Sequence, residues 1–148
     1  MKNLFLGIYL GFLSLGCTSQ VQEASPIVGT WQLVSGTTIK DKDTTLTDYT
    51  KGQEMIKIIT PTHFSFLRHD LNHGKDSTAT YSAGGGRVKI EGNQYKEYLD
   101  YFNVREWEGG EFEFDFQVKN DTLIIQGIEK VEKLGVNHIN IEKYIKVK

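Results

Sequence analysis

The 148-residue sequence predicts an all-β domain of antiparallel strands, and three observations carry that expectation. From Cys17 onward the chain holds 12 Ile, 9 Val and 13 Thr against 3 Ala and 7 Leu. Side chains branched at Cβ are stiff at χ1 and suit a pleated surface better than a helix. Apolar and polar residues alternate repeatedly, most clearly over Glu111–Lys119 (EFEFDFQVK), with four apolar residues on one face and five polar on the other. Turn signals interrupt these runs every 8–12 residues or so, the spacing of a β-sandwich or a β-barrel.

The amino terminus reads differently. Leu4–Leu15 is an apolar run of 12 residues preceded by Met1, Lys2 and Asn3. As a helix it spans roughly 18 Å, short of the ~30 Å hydrocarbon core of a bilayer. A basic start, a short apolar stretch and then small residues form the pattern of a secretory signal peptide. The end of the run, Leu13-Ser14-Leu15-Gly16-Cys17, resembles a bacterial lipoprotein signal. That resemblance implies removal of residues 1–16 and attachment of lipid to Cys17, which explains the chain's lone cysteine. Several acyl chains, at ~0.8 kcal/mol per buried methylene, hold a domain firmly on a membrane. Residues 17–27 then form the lipidated cysteine and a short polar tether, and residues 28–148 the folded domain. One cysteine excludes an internal disulfide framework. An aromatic content of 11% with a net charge of -2 argues against disorder, and a pI near 6.1 gives no electrostatic reason to expect nucleic acid.

Within the domain, Gly29–Lys40 reads as the first strand and Asp41–Gly52 as a polar connection. Met55–Thr60 is a second strand, Pro61 a break, Thr62–His69 a third strand and Asn72–Asp76 a loop. Thr78–Ala83 and Arg87–Glu91 read as strands separated by Gly84-Gly85-Gly86, a bulge or barrel corner. Gly92-Asn93 turns the chain into Gln94–Phe102, and Asn120-Asp121 links the phenylalanine-rich strand to Thr122–Ile128 in a hairpin. Glu129–Leu134 is expected to form one or two helical turns ended by Gly135, before Asn140–Val147 closes the chain. Met55-Ile56-Lys57-Ile58-Ile59 is apolar on both faces, as a barrel with a lined interior and a partly covered exterior requires. Patterning alone leaves barrel and sandwich open.

Gly29-Thr30-Trp31 resembles the G-x-W signature of lipocalins and related calycin barrels. In those barrels the tryptophan closes the floor and an arginine of the last strand packs across it. This sequence has Lys143 and Lys146 on its last strand and no arginine after Arg105. From Gly29 to the carboxyl terminus the chain is similar to lipocalin-like domains of bacterial lipoproteins. The segments that carry this are Thr62–Leu67, Ala83–Gly86, Tyr95–Leu99, Arg105–Gly109 and Gly127–Lys130. The resemblance implies an antiparallel up-and-down β-barrel, lipocalin-like, in a protein lipid-anchored in the bacterial cell envelope outside the cytoplasm. It brings no ligand with it.

The candidate site follows from alternation. Tyr95, Glu97, Leu99 and Tyr101 share the more apolar face of their strand, so Glu97 is expected inside, where an unpaired carboxylate is costly. Phe64, Phe66 and Arg68 share a face of the third strand, placing a guanidinium at the end of an apolar row. Together with Phe114 and Phe116 these residues are expected to line a mostly apolar cavity with a few orienting polar groups, the composition of ligand pockets. The expectation is a protein that binds a small, mainly apolar molecule, without metal or other cofactor, touching the membrane through its anchor. Two other classes fit the same residues. One is an isomerase or cyclase with Glu97 as general base beside a tyrosine acid. The other is an interaction lipoprotein without a small ligand, docking a partner through outer strands or the Trp107 loop. His63 and His69 share a face but lie roughly 20 Å apart along a straight strand, too far to hold one ion. Gly84–Gly86 lacks the Lys-Ser/Thr and helix of a phosphate loop, and no G-x-S-x-G elbow occurs after Cys17.

Overall fold

The structure, a computed structural model, describes residues 24–148. Nine strands follow one another: β1 (Gly29–Lys40), β2 (Asp43–Asp48), β3 (Gln53–Ile59), β4 (His63–Asp70), β5 (Tyr81–Glu91), β6 (Gln94–Phe102), β7 (Gly110–Lys119), β8 (Thr122–Val131) and β9 (Val136–Lys146). Short 3-10 turns at Arg105–Trp107 and Glu132–Leu134 precede β7 and β9. Each strand from β3 to β9 pairs antiparallel with the next, and β9 returns to pair with β1, so the sheet closes into a barrel. β2 and β3 share one side of β1: β2 pairs with Ser35–Lys40 and β3 with Gly29–Gln32. They act as one interrupted stave, giving a closed eight-stranded barrel. Among the described residues closure leaves no full-length free edge for another chain to extend, the short β2 being paired on one side only.

One end of the barrel is plugged. Trp31, Leu33, Ile59, Tyr95, Leu123, Ile125 and Tyr144 are buried there, with Phe64, Phe114 and Phe116 packed among them. The Trp31 indole donates to the Ile27 carbonyl at 2.7 Å, tying the entering chain across the floor. Lys146, opposite Trp31 in the β1–β9 register, places its ammonium 5.4 Å from the indole ring. A lysine thus supplies the cation over the floor tryptophan.

Two bulges reset which side chains point inward. On β1 the register slips between Leu33 and Ser35, so inward residues change from Trp31 and Leu33 to Gly36 and Thr38. On β6, Leu99 and Asp100 together stand opposite Gly86, because Gly85 pairs with Tyr101 and Arg87 with Tyr98. An extra residue in one strand inverts the alternation beyond it. Tyr101, expected inside, is therefore 73% exposed on the outer wall, and Phe102 turns in. The bulge needs glycine opposite it: a Cβ on Gly86 would lie 1.9 Å from the Tyr98 carbonyl oxygen. Arg87 clamps the bulge from outside with two hydrogen bonds to the Asp100 carboxylate, at 2.9 and 3.0 Å.

Three expectations about elements are corrected. The polar segment after β1 contains β2, whose residues are mostly exposed and which is held by pairing with β1. β5 runs unbroken through Gly84–Gly86 rather than as two strands. Residues 129–131 continue β8, and only Glu132–Leu134 turn, ended by Gly135 in the left-handed conformation with φ 65°.

Candidate functional site

Above the plug the inward faces change character. The deepest layer is ionic. Lys57 of β3 extends into the barrel and donates to Glu97 of β6 at 2.9 Å and to Glu142 of β9 at 3.3 Å. The Lys57 side chain is 5% exposed and that of Glu97 8%, so this is an ion pair almost withdrawn from water. Tyr144 donates to Glu142 at 2.6 Å from below. Burial opposes the charge on Lys57, but Glu142 and Glu97 outweigh it and hold the ammonium well above its ordinary pKa. Burial, with Glu97 and Glu142 close by, pushes the phenols of Tyr95 and Tyr144 well above theirs. The Tyr95 hydroxyl is buried without a hydrogen-bond partner among the described residues.

Over this layer lies a cavity of about 400 Å³ that opens at the end opposite the plug. One wall is aromatic: Phe66 meets Phe102 edge-on at 5.3 Å, Phe102 meets Trp107 edge-on at 6.4 Å, and Trp107 lies 6.1 Å from Phe112. Met55 and Leu99 fill in between. The 3-10 turn after β6 is what brings Trp107 there. Glu108 accepts a hydrogen bond from the Phe102 amide and Gly109 donates to the Leu99 carbonyl, folding the loop back on its strand. Trp107 thus packs along the rim of the cavity, half-buried.

The other wall is polar. Glu129 of β8 accepts from Asn140 at 2.9 Å and faces the His138 ring nitrogen at 3.1 Å, both on β9. Burial, reinforced by the nearby Glu142 carboxylate, raises the Glu129 pKa to about 7. His138 is held below its usual value by burial and by Lys40. Arg68 of β4 sits at the mouth, donating to Gln53 at 2.8 Å and stacked 5.4 Å from the Tyr49 ring.

Of the residues expected at the site, Phe66, Arg68 and Glu97 line the cavity. Phe64, Tyr95, Phe114 and Phe116 point inward but belong to the plug, and Tyr101 is outside the barrel. Glu97 pairs with Lys57 instead of meeting Arg68, because Lys57 reaches its level from the facing wall. Lys57, Glu129, His138, Asn140 and Glu142 were not expected there. Alternation carries their signal: Lys57 keeps the parity of Met55 and Ile59, Glu129 that of Leu123 and Ile125, and Glu142 that of Tyr144. His63 and His69 are both exposed. Cys17 and the signal segment lie outside the described residues.

No protein-family model matches the chain, and no curated protein matches it. Among solved structures it is similar to an uncharacterized protein from Bacteroides eggerthii DSM 20697, at 15% sequence identity and a TM-score of 0.45, over 81% of this chain and 98% of that one.

Proposed function

We propose that this chain is the lipocalin-like, calycin-type barrel of a bacterial lipoprotein, anchored through Cys17 in the cell envelope outside the cytoplasm, and that it binds a small, mainly apolar molecule. The observation that carries the reading is the cavity of about 400 Å³ beside the aromatic wall of Phe66, Phe102, Trp107 and Phe112. Its size lies within the usual range of ligand pockets, roughly 300–1,000 Å³, and a few convergent polar groups stand opposite the apolar wall as such pockets require. The Gly29-Thr30-Trp31 floor, with Lys146 over the ring, supports the calycin comparison on geometry. The Trp31 indole holds Ile27 across the plugged end, and the cavity opens at the other end.

Native mass spectrometry of the protein purified from its own host tests the binding reading. A retained small molecule, lost when Phe66→Asp and Phe102→Asp are introduced together into a protein that still melts cooperatively, is the expected result. Protein that leaves its host empty, and takes up no apolar fluorophore that Trp107 senses, overturns it. The anchor has its own test: the wild type takes up labelled palmitate and Cys17→Ala does not, and a wild type that takes up no label refutes lipidation.

A further inference from the structure

We propose that the polar wall of the cavity is the seat of a protonated amine, so that the molecule bound is an amphiphilic amine whose hydrocarbon or aromatic body lies against Phe66, Phe102 and Trp107. This rests on the cavity reading above and adds the chemical class of the ligand.

The argument is one of unequal partners. Glu97, Glu129 and Glu142 all line this cavity, and the ammonium that reaches them from within the barrel is Lys57. Lys57 is committed to Glu97 and Glu142. Glu142 takes both the Lys57 ammonium and the Tyr144 hydroxyl on one oxygen, Oε2. Glu129 is left with Asn140 and His138, and neither brings a fixed positive charge. Both its oxygens are hydrogen-bonded, yet of the three carboxylates it is the one that no lysine or arginine among the described residues reaches in an ion pair. Burial and the neighbouring Glu142 oppose its ionisation, a cost that an entering cation removes. Facing it are Glu142, Asn140 and His138 on β9, Lys57 on β3, Glu97 on β6 and Tyr49 after β2. Arg68 of β4 is stacked on the Tyr49 ring at 5.4 Å. Arg68 lines the cavity and favours an anion instead. Its Nε–H is already given to Gln53 and its face to Tyr49. The opposite wall completes the match, because aromatic faces attract ammonium groups as well as hydrocarbon.

Three ligands with one body and different heads test this: 2-phenylethylamine, 2-phenylethanol and 3-phenylpropionate, each titrated against Trp107 fluorescence at pH 8. Trp31, sealed in the floor, provides the constant background. The amine is expected to bind at least about tenfold more tightly than the other two, the usual scale of one charge-assisted hydrogen bond. Its affinity should fall as the pH drops from 8 to 5.5 and Glu129 takes up a proton, while that of the alcohol stays level. Glu129→Gln should erase the preference and Glu129→Asp retain part of it, with thermal melts confirming that both variants fold. The proposal is overturned if the alcohol or the carboxylate binds as tightly as the amine, or if Glu129→Gln leaves amine binding unchanged. Either result leaves the apolar-cavity reading standing. If none of the three binds, the amine proposal fails, and the molecule retained in native mass spectrometry decides the broader reading separately.

Discussion

Replacing Lys57 by methionine keeps most of the length and volume of the side chain but removes the ammonium from between Glu97 and Glu142. Both carboxylates then stay inside the barrel, 8% and 15% exposed, without the cation that neutralises them. Breaking a buried ion pair on one side costs about 3–5 kcal/mol, because the remaining charge has lost both water and partner. A single domain has only about 5–15 kcal/mol in hand. With a urea dependence of about 1.5 kcal/mol per molar, the midpoint should fall by roughly 2–3 M at pH 7. The pH dependence separates this cause from simple mispacking. Without Lys57 the penalty is that of two buried negative charges with no cation between them, so it is present at neutral pH and fades under acid conditions that neutralise carboxylates. The gap between wild type and Lys57→Met should therefore narrow on acidification. Adding Glu97→Gln and Glu142→Gln to Lys57→Met should restore part of the loss at pH 7. A cost under 1 kcal/mol at pH 7, or one that stays constant from pH 8 to pH 4, would refute the picture of a desolvated charged layer.

Three further outcomes follow from single positions. Gly86→Ala places a Cβ 1.9 Å from the Tyr98 carbonyl and should cost about 3 kcal/mol or more in urea unfolding, since backbone must move. Gly92→Ala, in open space but at φ 60°, should cost only about 1–2 kcal/mol; equal losses would show that the β6 bulge is not tightly held. Lys146→Ala should lower stability by about 0.5–1 kcal/mol and Lys146→Arg leave it nearly intact, because either cation can sit over Trp31; a melt unmoved by Lys146→Ala removes that role. Glu129 has a folded pKa of about 7 against 4.5 for the free group, so its contribution is full below about pH 4.5 and is lost as the pH rises through 7. Glu129→Gln should thus gain stability relative to wild type between those limits, by something on the order of 2–3 kcal/mol at pH 8; His138, with its pKa lowered, gives an opposite slope below about pH 6.5 in both proteins. Parallel curves for wild type and Glu129→Gln would contradict the burial of that carboxyl.

The strands were legible where one face is buried and the other wet, as in β7, whose phenylalanines alternate with Glu111, Glu113 and Asp115. β2 escaped notice for the same reason in reverse. Its residues have no apolar face, Leu46 is 71% exposed, and its order comes from backbone pairing with β1, which leaves no mark in side-chain pattern. Gly84–Gly86 suggested a break because glycine is weak in strands, yet β5 passes straight through. There the missing side chains make room for the Phe66 ring and for the bulge of β6. That bulge also explains Tyr101, because parity counted from Tyr95 holds only as far as Leu99. Phe102 took the inward place at the next position. Glu97 was legible as an interior carboxylate, whereas its partner was not. Alternation tells which way a side chain points but not how high along the barrel it stands.

Height is fixed by the registers of all the strands together, and it is height that makes the site. Lys57 and Glu97 are 40 residues apart and meet because β3 and β6, on facing walls, present them at one level. Phe64 and Phe66 differ by only two residues, yet one belongs to the plug and the other to the cavity wall. The same division runs along β9, where Tyr144 closes the core while Glu142, Asn140 and His138 face the cavity. A barrel filled throughout with apolar side chains of similar volume would be as stable or more so, since a buried ion pair seldom outperforms good packing. The ionic layer is therefore poorly explained as a stabilising device. Its position explains it better: lying between plug and cavity, it fixes Glu142 beside Glu129 and so sets the negative field of the polar wall, where the charged end of the proposed amphiphile is held. A wholly apolar barrel would hold such a molecule with no preference for which end enters first.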